Sequence, residues 1–185
     1  SVADFNTVPN SFFLDDSLLG SLPFSSITEQ SDLQIWNAPY RFTESGVYDL
    51  FVYLTDNSNN TAVDTLSLSV SLPNSEGGTL RSPSGKLFVQ YPEMDYSEYQ
   101  FIILNESTYS GESFIDTEQT LYSIESNVSS DIAFVATFTG ETDGSDYYSF
   151  YTVFDGQGIP IPTFIDKDGK FQAPVTLNNH FYFGQ

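Results

Sequence analysis

The chain has 185 residues, with 25 acidic and 5 basic side chains and a formal net charge of −20. One His, one Trp, one Met and no Cys stand beside 17 Phe and 12 Tyr. These counts exclude disulfides, thiolate nucleophiles, Cys-ligated metals and two-His metal motifs, and five cations cannot track a phosphate backbone or hold an anionic membrane against this field.

In chain order, the first 14 residues carry Val2, Phe5, Val8, Phe12, Phe13 and Leu14 without a helical period. A free arm should not expose so much apolar surface. It is expected either to pack on its own domain as an edge strand or to pair with another chain. The first residue is Ser1, which suggests a processed mature form. Asp15 to Leu19 could form one helical turn, and so could Glu93 to Glu98. Elsewhere the period is two. A strand is expected at Leu33–Trp36, then another at Val47–Thr55. The run Asp56-Asn57-Ser58-Asn59-Asn60 is a turn, and it joins Val47–Thr55 to an alternating strand from Thr65 to Leu72. There Leu66, Leu68, Val70 and Leu72 share one face and Thr65, Ser67, Ser69 and Ser71 the other, which reads as a half-buried antiparallel strand.

Pro73 to Gly78 holds turn formers and is read as a linker. Further strands are expected near Leu87–Tyr91, Tyr99–Leu104, Thr120–Ile124, Asp131–Thr139, Tyr147–Phe154, Thr163–Ile165, Lys170–Gln172 and His180–Phe183. The longest apolar stretch is about Ile132 to Phe138, far short of the roughly 20 residues of a spanning helix, so no membrane insertion is expected. The fold class is all-β. Two immunoglobulin-like or jelly-roll-like β-sandwiches are expected in tandem, over residues 1–72 and 79–185, joined by 73–78.

One stretch carries a resemblance. Pro39-Tyr40-Arg41-Phe42-Thr43-Glu44-Ser45-Gly46-Val47-Tyr48 leads into Leu50-Phe51-Val52-Tyr53-Leu54-Thr55-Asp56 and then the alternating strand. This resembles the last third of PKD-type and related bacterial and archaeal immunoglobulin-like domains. The resemblance implies an immunoglobulin-like sandwich. It also implies a place among spacers, adhesive modules or polymer subunits of the cell surface.

Candidate chemistry is sparse. His180 is the only base for a nucleophilic serine, and no Gly-Xaa-Ser-Xaa-Gly elbow is present, so no enzyme is expected. Three acid-rich turns are candidates for calcium, a hard cation that wants clustered oxygens. Glu141, Asp143 and Asp146 form the best set. Asp166-Lys167-Asp168-Gly169 reads first as a tight turn, and Asp56 with its Asn neighbours as an Asx turn. Sequons begin at Asn59, Asn105 and Asn127, where a glycan could be attached. Tyr147, Tyr148, Phe150, Tyr151 and Phe154, with Phe181, Tyr182 and Phe183, read as strands covered on both sides. The other reading of these aromatics is a sugar platform or a subunit contact.

From these features the chain is expected to be an extracellular structural protein, a surface-filament or surface-layer subunit that self-associates into a homopolymer. Val2, Phe5 and Val8 would be donor-strand anchors that fill a neighbour's groove. A carbohydrate-binding or calcium-dependent adhesive module and a virion decoration protein are the alternatives.

Overall fold

The period-two patterning of the sequence is matched by an all-strand secondary structure among the described residues. A computed structural model describes residues 11–16, 20–23, 26–30, 33–37, 41–55, 58, 60–73, 76–93, 100–109, 119–128, 132–142, 147–155, 157–177 and 179–185. Among these residues every regular element is a strand and none is a helix. The strands are β1 (Ser11–Asp16), β2 (Gly20–Pro23), β3 (Ser26–Gln30), β4 (Leu33–Asn37), β5 (Gly46–Thr55), β6 (Thr61–Ser71), β7 (Gly78–Arg81) and β8 (Leu87–Tyr91). They continue with β9 (Ile102–Tyr109), β10 (Gln119–Ser126), β11 (Phe134–Phe138), β12 (Ser149–Phe154), β13 (Gln157–Ile161), β14 (Phe164–Ile165), β15 (Phe171–Val175) and β16 (His180–Gly184). Of the two expected helical turns, Asp15 and Asp16 lie in β1, and most of Glu93 to Glu98 lies outside the described residues.

The chain divides into two compact units, Ser1–Arg41 with Tyr48–Ser67 and Phe42–Val47 with Leu68–Gln185. In the first, β1 pairs antiparallel with both β2 and β5, while β3 and β4 form a separate hairpin. The Ser67 hydroxyl donates to Asp49 Oδ1 at 2.6 Å, tying β6 to β5.

The second unit contains two antiparallel sheets. One runs β13-β12-β16-β10-β9-β6 and the other β14-β15-β11-β8-β7. A single buried cluster takes Leu87, Val89, Phe134, Ala136 and Ala173 from the second sheet, and Ile102, Leu104, Tyr122, Ile124, Phe150 and Phe181 from the first. Side chains alternating inward from two facing sheets are the arrangement of a β-sandwich. Each fully buried Phe or Ile contributes roughly 1.5–3 kcal/mol by leaving water. In this unit Pro73, Glu76 and Gly77 lie between β6 and β7, and Gly78 opens β7.

The alternation in β6 holds, but its faces are assigned differently from the expectation. Ser69 pairs with Leu104 and Ser71 with Ile102, so the serines share the face of the sandwich core. Leu68 and Val70 are also buried, on the opposite face. Leu66, expected to be buried with them, is 40% exposed. Hydrophobic alternation gives the period of a strand; it does not say which face meets the second sheet when both are covered.

Candidate interaction surface

The aromatic run of β12 supplies the centre of the sandwich and also its least covered side. Phe150 is fully buried, and its register partner Phe183 on β16 is 8% exposed. Phe183 stacks on Phe138 at 4.1 Å and on Tyr148 at 5.3 Å, with Phe171 at 5.1 Å. This aromatic cluster closes the core at the end of the sandwich where β11 finishes and β15 begins. On the outer face Tyr151 and Tyr182 are register partners and stack at 5.0 Å with an interplanar angle of 10°. Tyr182 is only 6% exposed, and its hydroxyl lies where a Cβ on Gly158 would stand. Its ring is therefore spent on packing and offers no free face for a sugar. Burial, then the Tyr151 hydroxyl, raises the Tyr182 pKa above the ordinary phenol value.

The other end of the same side is open. Alternation puts Phe150, Thr152 and Phe154 on the inner face of β12, yet Phe154 is 70% exposed. Ile159 of β13, the partner of Thr152, is 46% exposed. Next to them a cavity of about 160 Å³ opens between the sheets, lined by Thr152, Ile161, Val175, Thr176, Asn179 and Phe181, with Pro174. The tight turn from β12 to β13 is made by exposed Asp155 at φ 50°, a left-handed conformation that Asp tolerates better than most residues.

β13 is an edge strand, and its sequence blunts it. Pro160 has no N–H to offer a further strand, and Pro162 follows directly. β14, the edge of the opposing sheet on this side, is two residues long. Both its side chains are exposed, Phe164 at 51% and Ile165 at 61%. Short edges and edge prolines are the usual defences against strand addition. At the other side of its sheet β7 is an edge strand without proline.

The turn from β14 to β15 explains its own acid-rich sequence. Asp166 Oδ1 accepts the Asp168 N–H at 2.8 Å and the Lys170 N–H at 2.9 Å, while Oδ2 accepts from Gln172 Nε2 at 3.2 Å. Gly169 closes the turn at φ 79°, a region that favours glycine. The Lys170 N–H is the largest influence holding the Asp166 carboxyl below its ordinary pKa, followed by the Asp168 N–H and the charges of Lys170 and Lys167. With its oxygens committed to N–H donors, Asp166 serves a tight turn, as the sequence suggested.

A second polar cluster lies at the turn from β7 to β8. The Ser84 N–H donates to Glu106 Oε2 at 2.9 Å, and Ser82 Oγ accepts the Leu87 N–H at 3.2 Å. Tyr122, 2% exposed, sits beside this turn. Its pKa is raised well above the phenol range, first by burial and then by the Glu106 charge, against a lowering contribution from Ser84. The Ser84–Glu106 hydrogen bond fastens the turn to β9.

The remaining candidates are dispersed. Glu141 is exposed, and Asp143 and Asp146 lie outside the described residues. No cluster of three or more His, Asp or Glu side chains able to hold a metal occurs among the described residues. Asn59, Val2, Phe5 and Val8 lie outside them as well. Asn105 is in mid-strand on β9, half-buried between Leu68 and Ser123, and its Oδ1 is buried without a hydrogen-bond partner. Asn127 is exposed just after β10, and its Oδ1 accepts the Phe101 N–H at 2.8 Å. His180 is exposed at the start of β16. Sequence reasoning missed the exposed pairs Phe154 with Ile159 and Phe164 with Ile165. The available signal was two consecutive apolar residues squeezed between Pro162 and a charged tight turn. No protein-family model, curated protein or solved structure matches the chain.

Proposed function

We propose that the chain is an extracellular structural subunit that assembles with copies of itself. One observation carries this reading: Phe154, Ile159, Phe164 and Ile165 are all more than 40% exposed along one side of a single sandwich, in a chain whose charge of −20 should otherwise keep it dispersed. Phe154 with Ile159 and Phe164 with Ile165 form two small exposed apolar pairs, and apolar exposure grouped in this way, beyond scattered single residues, marks interaction sites. The resemblance of residues 37–72 to surface immunoglobulin-like domains supports the extracellular setting. The tandem of sandwiches belongs to the same proposal, with the second unit as one sandwich and β1, β2, β5 and β6 of the first unit as part of another.

The sugar-platform alternative is weakened by the burial of Tyr182. Light scattering over a concentration series, with electron micrographs of the same sample, tests the proposal. Concentration-dependent growth beyond the mass of one chain is expected. A monomer at every concentration would overturn it.

A further inference from the structure

The two exposed apolar pairs lie on the same side of the second unit's sandwich, but at opposite ends. β15 begins at Phe171, next to the aromatic cluster, and ends at Val175, which lines the cavity. The β14–β15 turn with Phe164 and Ile165 is therefore at the aromatic-cluster end. β12 runs the same way along the sandwich as β15. Its first residues follow Tyr148, which contacts Phe171, and its last residue, Phe154, is at the cavity end. One end thus presents the edge hairpin β14–β15 with two exposed apolar residues. The other presents an opening between the sheets, bordered by apolar side chains.

We infer that the β14–β15 hairpin of one copy docks at the cavity end of a second copy, a head-to-tail contact that builds an open chain. The inference rests on the self-assembly reading and specifies its contact. The occupant is a second copy because the two ends complement each other in chemistry. Phe164 or Ile165 can enter a space of about 160 Å³ lined by Thr152, Ile161, Val175 and Phe181, beside exposed Phe154 and Ile159.

Charge points the same way. The hairpin turn carries Lys167 and Lys170 against Asp166 and Asp168, so its tip is neutral in a chain of net −20. Asp166 is also folded back onto its own turn. The receiving end presents exposed Asp155. A neutral tip bearing two exposed cations can approach that end, where an acid-rich loop such as 141–146 would be repelled. Pro160, Pro162 and the two-residue β14 disfavour strand addition on this side, so side chains make the contact. Because the two patches differ, the contact is heterologous and need not close on itself.

The test uses two full-length variants, each changed at one exposed position. Ile165→Asp disables the hairpin and leaves the cavity end intact. Ile159→Asp disables the cavity end and leaves the hairpin intact. Circular dichroism and melting verify that each is folded, and Lys167→Glu with Lys170→Glu is a second way to disable the hairpin. Sedimentation velocity should show each variant alone associating at least 10-fold more weakly than the unmodified chain. An equimolar mixture of a hairpin variant with Ile159→Asp should form a one-to-one pair and stop there. Folded variants that associate as tightly as the unmodified chain, or a mixture that stays monomeric, would overturn the docking while self-assembly stood. An unmodified chain that never associates would instead remove the self-assembly reading itself.

Discussion

The hydroxyl of Ser71 lies 2.7 Å from the hydroxyl of Tyr91, joining β6 of one sheet to β8 of the other inside the sandwich. This bond is why a serine face can be the inward face of β6. Tyr91 brings its own polar tip to the buried serine, and the pair satisfies both groups in a region closed to water. Two residues earlier Ser69 is 3% exposed, and its Oγ has no hydrogen-bond partner. The two serines should respond oppositely to mutation. Tyr91→Phe leaves Ser71 unpaired and is expected to cost about 1–2 kcal/mol. Ser69→Ala removes an unsatisfied hydroxyl and is expected to be neutral or stabilising by up to about 1 kcal/mol. Urea unfolding midpoints of the two variants check both signs.

The same tyrosine constrains its neighbour on β7. A Cβ on Gly78 would overlap the Tyr91 hydroxyl and ring. Gly78→Ala is therefore expected to destabilise the protein by about 1–3 kcal/mol, the usual range for overpacking. Tyr91→Leu in the same chain should recover much of that loss, because the obstructing hydroxyl and ring are gone. A double-mutant cycle by thermal unfolding measures the coupling. Equal losses from Gly78→Ala in both backgrounds would refute the clash.

Tyr122 makes stability sensitive to alkali. Burial and Glu106 raise its pKa in the folded state, while an unfolded Tyr ionises near about 10. The raised folded value favours the protonated, folded form. Its contribution is fully present below pH of about 10 and is lost as the pH rises through and beyond that value, because the unfolded chain can release the proton and the folded one cannot. Melting temperature should fall steeply above pH of about 10, and Tyr122→Phe should flatten that fall. A variant as alkali-sensitive as the unmodified chain would show that another group controls the transition.

How much of this was legible in the sequence can be judged strand by strand. β8 is found at the expected residues Leu87–Tyr91, and β5 within one residue of Val47–Thr55, because alternation and turn formers bracket both. β7 and β13 were not expected. Gly78 to Arg81 begins at the last residue of the stretch read as linker, and β13 carries Gly158 and Pro160, so local propensity speaks against both strands and the sheet neighbours decide. The β14–β15 turn was legible because Asp and Gly at fixed spacing encode it locally. The exposed apolar pairs were not. Whether Phe154 or Phe150 is covered depends on where the opposite sheet ends, which is a non-local property. The candidate anchors Val2, Phe5 and Val8 lie outside the described residues, so the sequence remains the only ground for that role.

Asp166 gives a prediction in acid. N–H donors and two lysines depress its folded pKa below the unfolded value. Its support of the turn should be complete above pH of about 4 and should fade as the pH falls through the depressed folded value. Amide exchange at Asp168 and Lys170 reports this, since both N–H groups donate to Asp166. Protection of both amides, measured against their intrinsic exchange rates, should fall in acid and should fall at neutral pH in Asp166→Ala. Asp166→Asn keeps an accepting Oδ1 and should protect both amides at neutral pH. Loss of protection in the Asn variant equal to that in the Ala variant would mean the carboxylate charge, and not its hydrogen bonds, holds the turn.

The net charge determines how assembly should respond to salt. Two chains of −20 repel at every approach, and the Debye length shrinks from about 30 Å at 0.01 M to about 8 Å at 0.15 M. Raising the salt screens that repulsion between whole chains. It also weakens any attraction of Lys167 and Lys170 for Asp155, but that involves few charges at close range, and the apolar part of the contact is not weakened by screening. Repulsion among 25 acids should dominate the balance, so self-association should strengthen as salt rises from 0.01 to 0.15 M. Lys167→Glu with Lys170→Glu makes the net charge of each chain more negative by four and should steepen the dependence. Sedimentation at several salt concentrations measures both slopes. Association that weakens steadily with salt in the unmodified chain would mean that local ion pairs, and not buried apolar side chains, hold the contact.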